Sequence, residues 1–541
     1  MAATLRATRS GAVEGTVEPN GTAAFRGIPF AAPPTGPLRF LPPQREASWD
    51  DLRPAAEAPP ACVQPDGSGS EDSLYLNVWT TNDYVERDKP VMVWVHGGGF
   101  SSGTGATDRY NGAALASKGV VVVTINYRLG VLGLLTHPCL ATEHETHAKG
   151  AVSTQVGLRN PLPGCLCRSS QVGASQGNLC LLDMVAALEW VHDSIGSFGG
   201  DAGMVTIFGE SAGGAAMYYL NSSPLVAGLV HRVIVQSAGF CPTTLERSVG
   251  AAEWLLASLG VPDTASSAEQ LAALQAASVE ELLELQPGLL ERLTEAFNTT
   301  ARPCVDGVVM PLWPTAALGA GIAEQRPLMI CSCRDEYRLM TSGDPKRKTL
   351  TEEELLERMG ASLGAEDCAE ALALYTRVRA EAGLETTPFA IWNAFQTDRL
   401  IWEPSIHYAQ ANEELNSRAT VVLFAYESPV KHLGACHGIE IPFVFGTQAS
   451  AQPMVGEGPE VDALSESMQS LWVMFASGSL DEETGYGAEC NTVIADEDAL
   501  VLTSDPFGEL REFWQGLRRA GKMGDEAAAA ASSGGAGQSK L

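Results

Sequence analysis

The stretch Met204 to Tyr219, MVTIFGESAGGAAMYY, decides the fold. Met204 to Phe208 reads as a short buried strand, glycines at 209 and 213 flank Ser211, and a run of small residues precedes aromatics. That order predicts strand, sharp turn, helix. A serine in so tight a turn needs glycine two positions before and after it, because a side chain at either place would strike the crowded strand and helix backbones. The turn lifts the hydroxyl to the top of a sheet, and the helix that follows points its N-terminal amides at whatever the serine attacks. Ser211 is therefore a candidate nucleophile. The pentapeptide can also arise by chance in a chain with 55 glycines, so its weight depends on what surrounds it.

Toward the N-terminus, Val91 to Val95 (VMVWV) is a continuous apolar run, as a parallel strand buried on both faces requires, and it ends in His96-Gly97-Gly98-Gly99-Phe100. Three successive glycines after a buried strand leave amide groups uncovered, which suits an oxyanion hole; a tight loop is the plainer account of the same residues. Val120 to Ile125 is a further buried strand, and Glu71 to Trp79 alternates as a strand packed on both faces. Leu181, Met184, Val185, Leu188 and Val191 recur at helical spacing, predicting a helix over Leu181–Ile195 that returns the chain to the serine strand. Strand, helix, strand with connections of this length implies parallel pairing. Later strands are expected at Val233–Gln236, Leu328–Cys331 and Val421–Ala425. The helical tracts Ala251–Leu259, Ala268–Leu285 and Glu352–Glu381 read as excursions that wall a substrate gorge, and Gly11 to Pro43 suits a small antiparallel sheet.

The composition is that of a globular protein, with 45% apolar and 18% charged residues. A net charge of -30 argues against a nucleic-acid partner, which would require a basic surface. No apolar run is long enough to cross a bilayer, and the first residues, MAATLRATRSGAVEG, lack the apolar core of a secretory leader, so an intracellular location is expected. The acceptor patterns at Asn20, Asn221 and Asn298 then read as chance, and the 12 cysteines are not a disulfide framework. Ser539, Lys540 and Leu541 end the chain with the peroxisomal address that an import receptor reads, after a tail of small residues from Gly524 to Gln538.

Six patterns, GIPFAAPPTGPLRF, EDSLYLNVW, HGGGF, NYRLG, FGGDAGMVTIFGESAGG and HGIEIPFVFG, resemble the type B carboxylesterases, the family that includes the cholinesterases, in order and spacing from about Gly11 to Gly516. The resemblance implies an α/β fold of the α/β-hydrolase type: a large, mostly parallel sheet with helices on both faces and helical excursions over the active site. It implies one such domain over residues 1–518 and no cofactor, and the small-residue composition beyond it reads as a flexible tail over 519–541. It assigns Ser211 as nucleophile, Glu336 as acid and His437 as base, in the chain order that the scaffold imposes. Gly98, Gly99 and Ala212 resemble the three oxyanion donors. Asp335 adjoins Glu336 as an alternative carboxylate, and His432 precedes His437 as an alternative base. The pairs Arg39 with Glu71 and Arg128 with Asp183 resemble the family's buried salt bridges.

The expected activity is carboxylic ester hydrolysis through an acyl-enzyme. The alternatives are a thioester or lipid ester hydrolase on the same triad, or a catalytically silent relative acting in adhesion. Two departures stand out. Ser73 occupies the place of a cysteine that secreted relatives bridge to the equivalent of Cys62, and Gly260 and Val261 stand where another cysteine is usual. A long insertion over about 136–176 lacks apolar periodicity; its His144, His147, Cys165 and Cys167 do not have the usual zinc spacing, and a surface loop is the expectation.

Overall fold

The computed structural model describes residues 4–81, 88–141, 177–294, 300–415, 417–497 and 500–523 of the 541. Its centre is an eleven-stranded sheet. In chain order the strands are β1 (Thr16–Val17), β2 (Ala23–Pro29), β3 (Tyr75–Thr80), β4 (Lys89–Val95), β5 (Val121–Ile125), β6 (Gly200–Glu210), β7 (Arg232–Gln236), β8 (Leu328–Cys333), β9 (Ala419–Phe424), β10 (Asn491–Ala495) and β11 (Leu500–Ser504). Across the sheet they run β11-β10-β9-β8-β7-β6-β4-β5-β3-β2-β1. From β10 to β5 every pairing is parallel, and both flanks are antiparallel. The serine strand β6 lies inside the parallel block, with β4 on one side and β7 on the other.

Alternation along the strands builds two cores from one run of apolar residues. Val91, Val93 and Val95 of β4 join Val121, Val123 and Ile125 of β5 on one face, packed with Leu181, Met184 and Leu188 of the helix Leu179–Ser194. Met92 and Trp94 point the other way, toward Met468, Trp472 and Phe475 of the helix Pro459–Ser477. Trp94 meets Phe208 edge-on at 4.9 Å and Phe445 at 5.0 Å, tying β4, β6 and the segment after His437 into one aromatic cluster. Because both faces are covered, the central strands read as unbroken apolar runs.

Three expectations need correction. The tract Ala268–Leu285 is two helices, Ser267–Ala276 and Val279–Leu293, and Ser278 starts the second with a reciprocal cap to Glu281. The tract Glu352–Glu381 likewise breaks, at Gly364, whose φ of +81° no regular helix accommodates. The N-terminal segment does not form one antiparallel sheet: Leu5–Ala7, Ala12–Glu14 and Arg53–Pro54 make a small mixed sheet, while Ala23–Pro29 joins the large one as β2.

Both expected salt bridges form. Arg128 reaches Asp183 with Nε at 2.8 Å and Nη2 at 2.7 Å, and Asp183 is fully buried. Arg39 grips Glu71 at 2.6 and 2.5 Å. The ten cysteines among the described residues are all buried, and Cys62 faces Ser73 where the resemblance implies a lost bridge. Asn221 is buried, with its amide donating to the Tyr408 hydroxyl at 2.9 Å, so it presents no site for a glycan. No helix among the described residues is long and apolar enough to cross a membrane. Residues 142–176 and the tail from 524 onward, with Ser539, Lys540 and Leu541, lie outside the described residues, as do His144, His147, Cys165 and Cys167.

Candidate active site

At the end of β6 the chain turns within one residue: Ser211 has φ +57° and ψ −120°, a strained conformation for a residue with a side chain. Its N–H donates to Gln236 O of β7 at 3.0 Å, which pins the turn to the neighbouring strand. The flanking glycines are sterically required. A Cβ on Gly213 would lie 2.0 Å from Val95 O, and one on Gly209 would lie 2.7 Å from Val95 O and the Gly213 carbonyl. The helix Ala212–Asn221 starts at once, so its first amides face the space above the serine.

The glycine turn after β4 lies beside this elbow. Gly98 and Gly99 have φ of +111° and +63°, and a Cβ on Gly98 would collide with Ser102 O at 2.1 Å. His96 is buried under Tyr127, ring centroids 4.5 Å apart, and burial pulls its imidazole down to about 4. It is a neutral prop for the turn, held by its Nδ1 contact with Gly97 O at 2.8 Å.

Glu336 follows the end of β8 and His437 lies in the loop after β9, and the two meet: His437 Nδ1 to Glu336 Oε2 is 2.7 Å. Glu336 is fully buried, and its Oε1 accepts from Cys333 N at 2.7 Å, so the carboxylate is fixed at both oxygens. The neighbouring Asp335 is used differently. It binds Arg334 at 2.7 Å, Arg338 at 3.4 Å and the amide of Ala435 at 3.1 Å, and so fastens the loop that carries His437. His432 is exposed. The two alternatives that the sequence left open are thereby separated.

Two carboxylates that the sequence reading did not single out complete the site. Glu210, the residue before Ser211, places Oε1 3.0 Å from His437 Nε2. Glu440 lies behind them, accepting from Gln236 Nε2 at 3.0 Å and from the Cys333 thiol at 3.2 Å. Burial pulls the His437 imidazole down, but Glu210 and then Glu336 outweigh it and lift the group to about 9. Burial in turn lifts the Glu210 carboxyl to about 7, opposed by the imidazolium and reinforced by Glu440. Both carboxylates favour the protonated imidazole, Glu336 by its hydrogen bond with Nδ1 and Glu210 by its charge 3.0 Å from Nε2. Glu210 was in plain view within GESAG; only its direction, set by the turn, was hidden.

Ser211, His437, Gly98, Gly99 and Ala212 all line one cavity of about 930 Å³. Its other walls come from the excursions, including Tyr337, Leu339, Met340, Leu363 and Leu400, and from Trp514 of the C-terminal helix Gly508–Arg519. Among the described residues no group of three His, Cys, Asp or Glu is placed to hold a metal.

Comparison with known proteins agrees with this architecture. The model of the carboxylesterase family matches residues 2–144 and 166–497. The para-nitrobenzyl esterase of Bacillus subtilis is 32% identical over 528 residues, covering 93% of this chain and 97% of its own length. The mouse (Mus musculus) carboxylesterase 1C is 30% identical over 524 residues, covering 88% of this chain and 86% of its own. In structure, the carboxylesterase EST55 of Geobacillus stearothermophilus superposes with a TM-score of 0.76 at 33% identity, over 95% of this chain and 100% of that one. With its parallel sheet, strained serine turn and buried histidine–glutamate contact, the chain belongs to the carboxylesterase family, serine hydrolases of the α/β-hydrolase fold that act on esters.

Proposed function

We propose that this protein hydrolyses carboxylic esters through an acyl-enzyme on Ser211, with His437 as general base and acid, Glu336 as its partner, and the amides of Gly98, Gly99 and Ala212 as the oxyanion hole. The observation that carries the reading is the 2.7 Å contact between His437 and buried Glu336 at the cavity that Ser211 lines.

The hydroxyl of Ser211 becomes a useful nucleophile only when an imidazole takes its proton. Glu336, on Nδ1, fixes the tautomer that leaves Nε2 free to do so and stabilises the imidazolium that forms. Nε2 faces Glu210 in this structure and makes no hydrogen bond with Ser211, so on this reading the serine hydroxyl must take the place of the carboxylate at Nε2 before the proton passes. The tetrahedral intermediate places an anion on the former carbonyl oxygen, where each preorganised amide lowers the barrier by about 3 to 4 kcal/mol. His437 then protonates the departing alkoxide, and water repeats the sequence to release the acid.

The deciding experiment is labelling with a fluorophosphonate probe. Wild type takes up one equivalent and Ser211→Ala takes up none; an unlabelled wild type would instead support a silent relative. We further propose that Ser539, Lys540 and Leu541 direct the protein to peroxisomes through the import receptor. Deleting these three residues should disperse a tagged protein into the cytosol, and unchanged puncta would refute the address.

A further inference from the structure

The cavity is lined by several cations, and most are already engaged. Arg518 is gripped by Glu403 at 2.8 and 2.6 Å. Lys522 is held by Asp367 at 2.9 and 2.7 Å. Arg109 binds Gly438 O and has Glu210 as a neighbouring counter-charge. Arg399 donates from Nε to Gln396 Oε1 at 2.9 Å. Arg302, which lies beside the Tyr219 hydroxyl, shares with Arg109 a buried Nε that has no hydrogen-bond partner, but among the described residues no carboxylate stands against it as Glu210 stands against Arg109. Arg302 Nη1 donates to Gly239 O at 3.2 Å, and the side chain forms no ion pair among the described residues. A guanidinium without a counter-charge is conspicuous in a chain where 65 acidic residues face 35 basic ones.

Its position relative to the reacting groups gives that charge a direction. Two residues before it, Thr300 packs at the oxyanion turn, its Cγ2 3.2 Å from where a Cβ on Gly99 would stand. Gly239 lies three residues past Gln236, whose carbonyl holds the Ser211 amide. On the proposed reading, the ester's leaving oxygen must sit at His437, which gives it a proton, and its carbonyl oxygen must sit at Gly98 and Gly99. On this reading the acyl chain runs along Ala238, Gly239, Phe240 and Arg302, which line the same cavity as Ser211. An uncharged acyl group there would partly desolvate the guanidinium and offer it nothing, whereas a carboxylate would bind it in a charge-assisted, two-point contact.

We infer that Arg302 makes the acyl side of this cavity selective for esters whose acyl group carries its own carboxylate, that is, monoesters of dicarboxylic acids. The inference rests on the esterase reading of Ser211, and the experiment separates the two. Mono-4-nitrophenyl esters of glutarate, adipate and pimelate are compared with 4-nitrophenyl esters of the monocarboxylic acids of equal carbon number. In parallel, 4-acetoxybenzoate against phenyl acetate places the carboxylate on the alcohol side instead.

Wild type should prefer the best-fitting diacid monoester over its neutral counterpart by tenfold or more in kcat/KM. Arg302→Met should reduce that ratio at least tenfold, and Arg302→Lys should keep part of it, since it retains the charge but not the two-point geometry. Should Arg302→Met fail to fold, competitive inhibition of wild-type 4-nitrophenyl hexanoate hydrolysis by adipate, and not by 1,6-hexanediol, decides the same question. A protein that labels with fluorophosphonate yet prefers the neutral ester at every length overturns the assignment of Arg302 alone. So does a ratio unmoved by Arg302→Met, or a preference confined to the carboxylate on the alcohol. A wild type that does not label overturns the esterase reading as well.

Discussion

Replacing Glu210 by Gln tests the electrostatics of the site most directly, because the amide keeps the shape of the side chain and removes its charge. Glu210 Oε1 is 3.0 Å from His437 Nε2, and the imidazole stands at about 9 against an ordinary 6.5. Coulomb's law at an effective dielectric of about 20 gives about 5 kcal/mol for unit charges at this separation, a ceiling of about 4 pH units. Glu336 remains in the variant, and burial still opposes the cation, so a fall of about 2 units is expected.

The sign follows from the chemistry. The imidazole must be neutral to accept the serine proton, so kcat/KM rises with pH as it deprotonates, and lowering its pKa moves that rise to lower pH. The assay is initial hydrolysis of a neutral 4-nitrophenyl ester, well below KM, from pH 5 to 9.5 at constant ionic strength, with spontaneous hydrolysis subtracted. Wild type should show a midpoint above 6.5, belonging to the Glu210–His437 pair, and Glu210→Gln a midpoint about 2 units lower. An unchanged midpoint, or one displaced upward, would refute the claim that Glu210 favours the protonated imidazole.

Other substitutions probe the same framework. Glu336→Gln should lower kcat by about 10³- to 10⁴-fold, since the amide can fix the wrong tautomer of His437, while circular dichroism stays that of wild type. Gly213→Ala places a methyl 2.0 Å from Val95 O and should abolish both labelling and turnover by dismantling the serine turn. Arg128→Ala leaves Asp183 charged, buried and alone, which should cost about 3 to 5 kcal/mol in urea denaturation. Asp398, lifted by burial to about 7 against an ordinary 3.8, keeps its proton in the fold longer than in the unfolded chain. Its contribution is therefore fully present below about 3.8 and is lost as pH rises through 7. Asp398→Asn should then stabilise the protein at pH 8 by up to about 4 kcal/mol and hardly at pH 4.

Most strands of the parallel block were readable because they are buried on both faces and so are written in apolar runs, as in Val121 to Ile125. The serine turn was readable because its glycines have no substitute. What the sequence left open was set by through-space geometry: Asp335 and Glu336 are neighbours on the chain, and only the direction of each side chain gives one to arginines and the other to His437. The approach of Glu210 to that same imidazole was invisible for the same reason. The strands β10 and β11 escaped because each has only five residues, two of them polar and adjacent at one end, and because β11 is largely exposed. The break before Ser278, by contrast, carried a readable capping pattern in Ser278 and Glu281 that a run of leucines on either side disguised.

Serine, glutamate and histidine all stand at the ends of central strands or in the loops that leave them, whereas much of the remaining cavity wall belongs to helices inserted between those strands and to the C-terminal helix. The molecule is therefore built like a fixed engine behind replaceable panels. Randomising wall positions such as Leu339, Met340 and Leu363 should yield variants of altered appetite at little cost in folding, since Leu339 and Met340 are exposed and Leu363 is only partly buried. A library aimed at the strand ends should return mostly dead clones.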